Sequence, residues 1–151
     1  MKNTRKWVLS SILGFLTFLI LLWLALFYSL DYRPKLEANR AIKRFHQQMN
    51  EGEFGRIRDD AGSYSNLGKS PEEWTASLGK IRDSLGKFKA VKTSLIKCEA
   101  GPVFICRAYC VSAFEKRETT ELFRFSRATG RLRLVEYSVL IEGQQFPPRG
   151  G

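Results

Sequence analysis

The chain has 151 residues, with 25 Lys and Arg against 15 Asp and Glu, one His and three Cys. That length holds one ordinary domain, and 13% aromatic with 26% charged residues excludes wholesale disorder. One His and three Cys leave nothing to spare for a four-ligand zinc finger or ribbon, and neither a metal nor a cofactor is expected.

Residues 1–6 form a basic tail carrying Lys2, Arg5 and Lys6, the only charges in the first thirty positions. Residues 7–30 then run for 24 positions without a charged side chain. At about 1.5 Å per residue a helix of that length covers ~36 Å, enough for a hydrocarbon core of about 30 Å. Trp7 and Tyr28 fall where interfacial aromatic rings belong. A cleaved signal peptide would have a shorter apolar stretch and small residues at its end, whereas this run ends Leu26-Phe27-Tyr28-Ser29-Leu30. No Cys follows for lipid attachment. The expectation is an uncleaved signal-anchor in the inner (plasma) membrane, the lipid bilayer being its first partner. Arg33, Lys35, Arg40, Lys43 and Arg44 behind the span pull against export, but long domains translocate largely regardless of charge. The domain is expected on the non-cytoplasmic side.

Residues 31–142 read as one α+β domain. Pro34 suits the first position of a helix, and Ala38, Ala41, Ile42, Phe45 and Met49 recur at three- and four-residue steps until Asn50-Glu51-Gly52. A short second helix carries Phe54, Ile57 and Ala61 on one side, and residues 62–69 form a loop. Ser70-Pro71-Glu72-Glu73 is a helix start in which Ser70 and Glu73 can cap each other. Trp74, Leu78, Ile81 and Leu85 give its buried stripe, and Gly86 its stop. From there the period becomes two. Strands are expected over 87–97, 103–114, 119–127 and 131–141, with turns at Glu99-Ala100-Gly101-Pro102 and Ala128-Thr129-Gly130. In the third, Phe123 and Phe125 share a face; in the fourth, Val135, Tyr137, Val139 and Ile141 do. The tail 143–151, with two prolines and three glycines, is expected to be flexible and unpacked.

The fold class that follows is a membrane-spanning helix, then helices packed on a curved four-stranded antiparallel sheet. This order of helix, short helix, capped helix and long meander resembles the nuclear transport factor two-like (cystatin-like cone) superfamily. Within it, Glu73-Trp74-Thr75-Ala76-Ser77-Leu78-Gly79-Lys80-Ile81-Arg82-Asp83-Ser84-Leu85-Gly86 resembles membrane-anchored or exported bacterial domains of unknown function. The resemblance covers residues 35–141 and implies a cone whose interior, in the enzymes of the superfamily, places a carboxylate base beside a Tyr or His.

Candidate pocket residues are accordingly His46, Tyr109 and Tyr137, none assigned a catalytic role. His46 sits near the edge of the apolar face of its helix, where a lone His is more often a boundary or hydrogen-bonded residue than a base. Tyr109 and Tyr137 lie on strands, where cross-strand packing is the ordinary role of an aromatic ring. Cys106 and Cys110 share a strand face about 13 Å apart at ~3.3 Å per residue, too far to bond. Cys98 could reach Cys106 only across a wide, irregular turn, so small buried thiols are expected and the bond is left open. The basic surplus is spread along the whole chain without a recognition motif, and no nucleic-acid partner is expected.

Two functions remain. One is a tethered binding or assembly domain whose partner is another membrane or periplasmic protein. The other is an exported small-molecule-binding enzyme with a pocket inside the cone. A deep cavity at the candidate residues favours the second; a filled interior with an exposed apolar sheet patch favours the first.

Overall fold

The computed structural model describes residues 2–62, 70–127, 130–141 and 144–146, with side chains in the first helix described from Ile12 onward. The chain divides into two compact units, Met1–Pro34 and Lys35–Gly151, three residues from the expected junction at Asp31.

The first unit contains α1 (Lys2–Phe27) and a π-helical turn, Tyr28–Tyr32. The large apolar side chains from Ile12 to Phe27 are exposed on every side of the helix. The part of α1 with described side chains, residues 12–27, measures about 24 Å. Among the described residues no helix is therefore long and apolar enough to cross a membrane.

The second unit is α+β. Helices α2 (Arg33–Glu51), α3 (Phe54–Asp60) and α4 (Pro71–Leu85) precede an antiparallel meander of β1 (Phe88–Glu99), β2 (Phe104–Phe114), β3 (Glu118–Arg127), β4 (Arg133–Ile141) and β5 (Gln144–Phe146). Strand order follows chain order, β1-β2-β3-β4-β5. Ile42, Phe45 and Met49 from α2 and Trp74, Leu78, Ile81 and Leu85 from α4 are buried in one core with Phe123, Phe125, Tyr137 and Val139 of the sheet. The helical stripes are those expected from the three- and four-residue spacing.

Local chemistry sets the boundaries. The Ser70 hydroxyl accepts from the Glu73 N–H at 3.2 Å while the Glu73 carboxylate accepts from the Ser70 N–H at 2.9 Å, a reciprocal cap at the start of α4. Gly86 ends α4 at φ 77°, ψ −167°, a backbone region closed to residues with a Cβ. Asn50 joins the end of α2 to the start of β1: its amide accepts from the Phe88 N–H at 2.8 Å and donates to the Phe88 carbonyl at 3.0 Å. That side chain takes the place of a neighbouring strand for one residue.

Four expectations are corrected or lie outside view. The sheet has a fifth strand: β5 pairs Val139 with Phe146 and Ile141 with Gln144, inside the tail expected to be unpacked, because the β4 edge offers free backbone groups. A register shift at Arg124/Phe125 sets Leu134 opposite Phe125, so Leu134 is buried and Val135 only half-buried. Cys98 and Cys106 form a disulfide, not a pair of buried thiols. No irregular turn is needed, since the four residues 100–103 close the hairpin in a register that sets Cys98 opposite Cys106 with Cα atoms 4.0 Å apart. The loop at 63–69 and the turn residues 128–129 lie outside the described residues, although Gly130 has the expected positive φ, 86°.

Candidate functional site

Period-two alternation places Thr119, Glu121, Phe123 and Phe125 on the core face of β3. Glu121 is thus an acid among phenylalanines, with 0% of its surface exposed. A carboxylate in such a place must be supplied with donors. Two arrive. From β4 the Tyr137 hydroxyl donates to Glu121 Oε1 at 2.7 Å. From α2, His46 Nε2 lies 3.1 Å from Oε1 and 2.9 Å from Oε2. With both carboxylate oxygens against it, Nε2 carries the proton. Nδ1 is buried without a hydrogen-bond partner.

Aromatic rings enclose the imidazole. Phe88 stacks on it at 3.8 Å between centroids and 11° between planes, and Phe114 and Phe123 present edges at 6.3 and 5.7 Å. His46 is 2% exposed. Of the two expected roles, boundary or hydrogen-bonded, His46 has the second: it is buried, not at the boundary, and its Nε2 is engaged by the Glu121 carboxylate. Burial, followed by the charge of Glu121 and its hydrogen bond, raises the Tyr137 hydroxyl well above its ordinary range. Burial, and then Glu121, pushes the Cys110 thiol up to about 11. Both the Tyr137 hydroxyl and the Cys110 thiol are thus held protonated beside the Glu121 carboxyl.

Of the candidates, His46 and Tyr137 meet at Glu121 and Tyr109 does not join them. Tyr109 is 46% exposed on the opposite face of β2. There it faces Leu95 of β1 and Leu122 of β3 in register, while Val111 faces Thr120 and, one strand further, Leu140. Leu95 of β1, Tyr109 and Val111 of β2 and Leu140 of β4 are all exposed on this face, with half-buried Leu122 and Thr120 of β3 between them. Sequence reasoning missed Glu121, although its position two residues before Phe123 was the available signal.

Among the described residues, two hollows adjoin the core. One, of ≈ 600 Å³, is an open groove between the end of α2 and the start of β1, with Lys43, Gln47, Asn50 and Phe88 in its walls and His46 touching it behind Phe88. The other, of ≈ 240 Å³, lies between α2, α3 and the start of β4. Neither is lined by Glu121 or Tyr137. No group of three or more potential metal ligands occurs among the described residues.

Fold and site together define an α+β domain with a buried His–Glu–Tyr cluster and an outer sheet face that exposes Leu95, Tyr109, Val111 and Leu140 among charged pairs. No protein-family profile, curated protein or solved structure matches the chain.

Proposed function

We propose that the chain is a single-pass, membrane-anchored binding or assembly domain of the nuclear transport factor two-like type, held on the non-cytoplasmic side of the inner membrane. The observation that carries the binding role is the contrast between the two faces of the sheet. Inside, the polar cluster is sealed among phenylalanines; outside, Leu95, Tyr109, Val111 and Leu140 stand in water. A monomer gains nothing from such a strip, whereas a partner surface would cover it.

Anchoring is supported by the 24 uncharged residues 7–30 and by the 26-residue length of α1, which at about 1.5 Å per residue gives ~39 Å. A helix with apolar side chains on every side is suited to lipid. Export is supported by the Cys98–Cys106 bond, since disulfides persist in oxidising compartments.

The enzyme reading draws its support from the composition of the buried cluster, a carboxylate beside a Tyr and a His. Its weakness is access: a substrate would have to displace Phe88 to reach Glu121.

The test is site-specific photo-cross-linking in membranes, with the cross-linking residue placed at Tyr109 or Leu95 and, as a control, at Lys80 on the exposed side of α4. A discrete adduct from the first two and none from Lys80 is expected. Equal adducts from all three, or none from any, would overturn the binding role. Release of the chain from membranes by carbonate would overturn the anchor.

A further inference from the structure

The 240 Å³ cleft between α2, α3 and β4 has an unusual lining. Arg40 and Arg44 come from α2, Arg131 from the turn before β4, and Arg133 from β4 itself. Against these four cations stand two acids, Glu37 and Asp60. Both acids are already engaged: Glu37 with Arg127 at 2.5 Å, and Asp60 with Arg44 at 3.7 Å and with Gln48 at 3.2 Å. The side chains of Arg40, Arg131 and Arg133 have no ion pair or hydrogen bond among the described residues. The Nε of Arg133 is buried and still without an acceptor. The floor between them is apolar, made of Phe45, Phe125 and Leu134.

Arg40, Arg44 and Arg131 are exposed at the mouth of the cleft and Arg133 is half-buried, its Nε–H lacking the acceptor that a buried donor needs. An anion in the cleft would supply that acceptor and draw the mutually repelling guanidinium groups together. Guanidinium forks arriving from two sides match the oxygens of a phosphate, and the surplus of two positive charges in the lining equals the charge a phosphate monoester approaches. The cavity is several times the roughly 30 Å³ a water molecule occupies in the liquid, so it has room for a phosphate and the first atoms attached to it.

We propose that this cleft binds a phosphate monoester, its anionic oxygens on Arg40, Arg131 and Arg133 and its apolar part against Phe45 and Leu134. The source is either a lipid headgroup or a soluble phosphate ester. The site lies on the helix-covered side of the sheet, so it stands independently of the partner-binding role of the outer strip.

The experiment uses the full chain in phosphatidylcholine nanodiscs and titrates two probes, inorganic phosphate and a water-soluble short-chain phosphatidic acid. Saturable binding is expected, weakened at least tenfold by Arg131→Gln with Arg133→Gln and, separately, by Arg40→Gln on a different element. Arg107→Gln, on β2 and paired with Glu99, should leave it unchanged. Tighter binding of the phosphatidic acid identifies a lipid ligand, and equal binding identifies a soluble phosphate; both support the site. Thermal melting of each variant shows that it is folded. Absence of saturable binding by either probe, or binding untouched in folded Arg40→Gln and Arg131→Gln/Arg133→Gln, sinks the proposal.

Discussion

At Glu121 the domain accepts a cost that a Leu would have avoided. A buried carboxylate survives only with its donors in place, so the cluster behaves as a unit. Removing His46 leaves Glu121 with the Tyr137 hydroxyl alone and opens a hole beneath Phe88. His46→Ala is therefore expected to cost about 3–5 kcal/mol, the range for breaking a buried pair from one side. Glu121→Gln keeps an acceptor for one donor and should cost less. Chemical denaturation of the two variants checks the order. Trp74 tests the other kind of core residue. It is buried with Leu78 and Ile81 and has no polar duty in the core, so Trp74→Ala should cost about 3–5 kcal/mol through the cavity alone. A Trp74→Ala variant with unchanged melting would place that ring outside the core. The contrast explains what could be read beforehand. Trp74 declared itself by spacing, whereas the burial of His46 depended on an acid 75 positions away, and no local pattern links the two.

Elements show the same division. α4 was legible to the residue because its start and stop are local: Ser70 and Glu73 cap each other, and Gly86 takes a conformation other residues avoid. A Cβ at Gly86 would meet the Glu115 side chain at 2.8 Å, in addition to the strained backbone. Gly86→Ala is expected to lose about 1–3 kcal/mol, readable as a lower melting temperature. The strands were legible in existence but not in register. Period two identified the core face of β3, yet the shift that exchanges Val135 for Leu134 depends on how β4 meets β3, a non-local matter. β5 was invisible for a related reason: three residues between glycines and prolines gain strand geometry only because the β4 edge accepts them. Asn50 read as a helix terminator, and its bonding to Phe88 was equally out of reach of the sequence.

At the scale of the molecule the interior sets a response to alkali. Cys110 and Tyr137 both have folded-state affinities for their protons above those of the unfolded chain. The stability they contribute is fully present below the unfolded values, near 9 and 10, and is lost as pH rises toward the folded ones. Melting temperature should thus fall from about pH 9 through 11. Cys110→Ala should make the first part of that fall shallower, and an unchanged profile would show that the thiol ionises freely.

The hairpin bond between Cys98 and Cys106 has a consequence for accounting sulfur. Once it closes, the denatured chain offers one alkylatable thiol, Cys110, where a chain never oxidised offers three. Rapid acid quenching of cells, unfolding and maleimide labelling therefore divides newly made from mature molecules by mass alone. A steady-state population carrying a single label would date oxidation to the protein's own lifetime in the cell, and three labels throughout would mean that the domain never met an oxidant. The same count, followed after a pulse of synthesis, gives the rate at which β1 is fastened to β2.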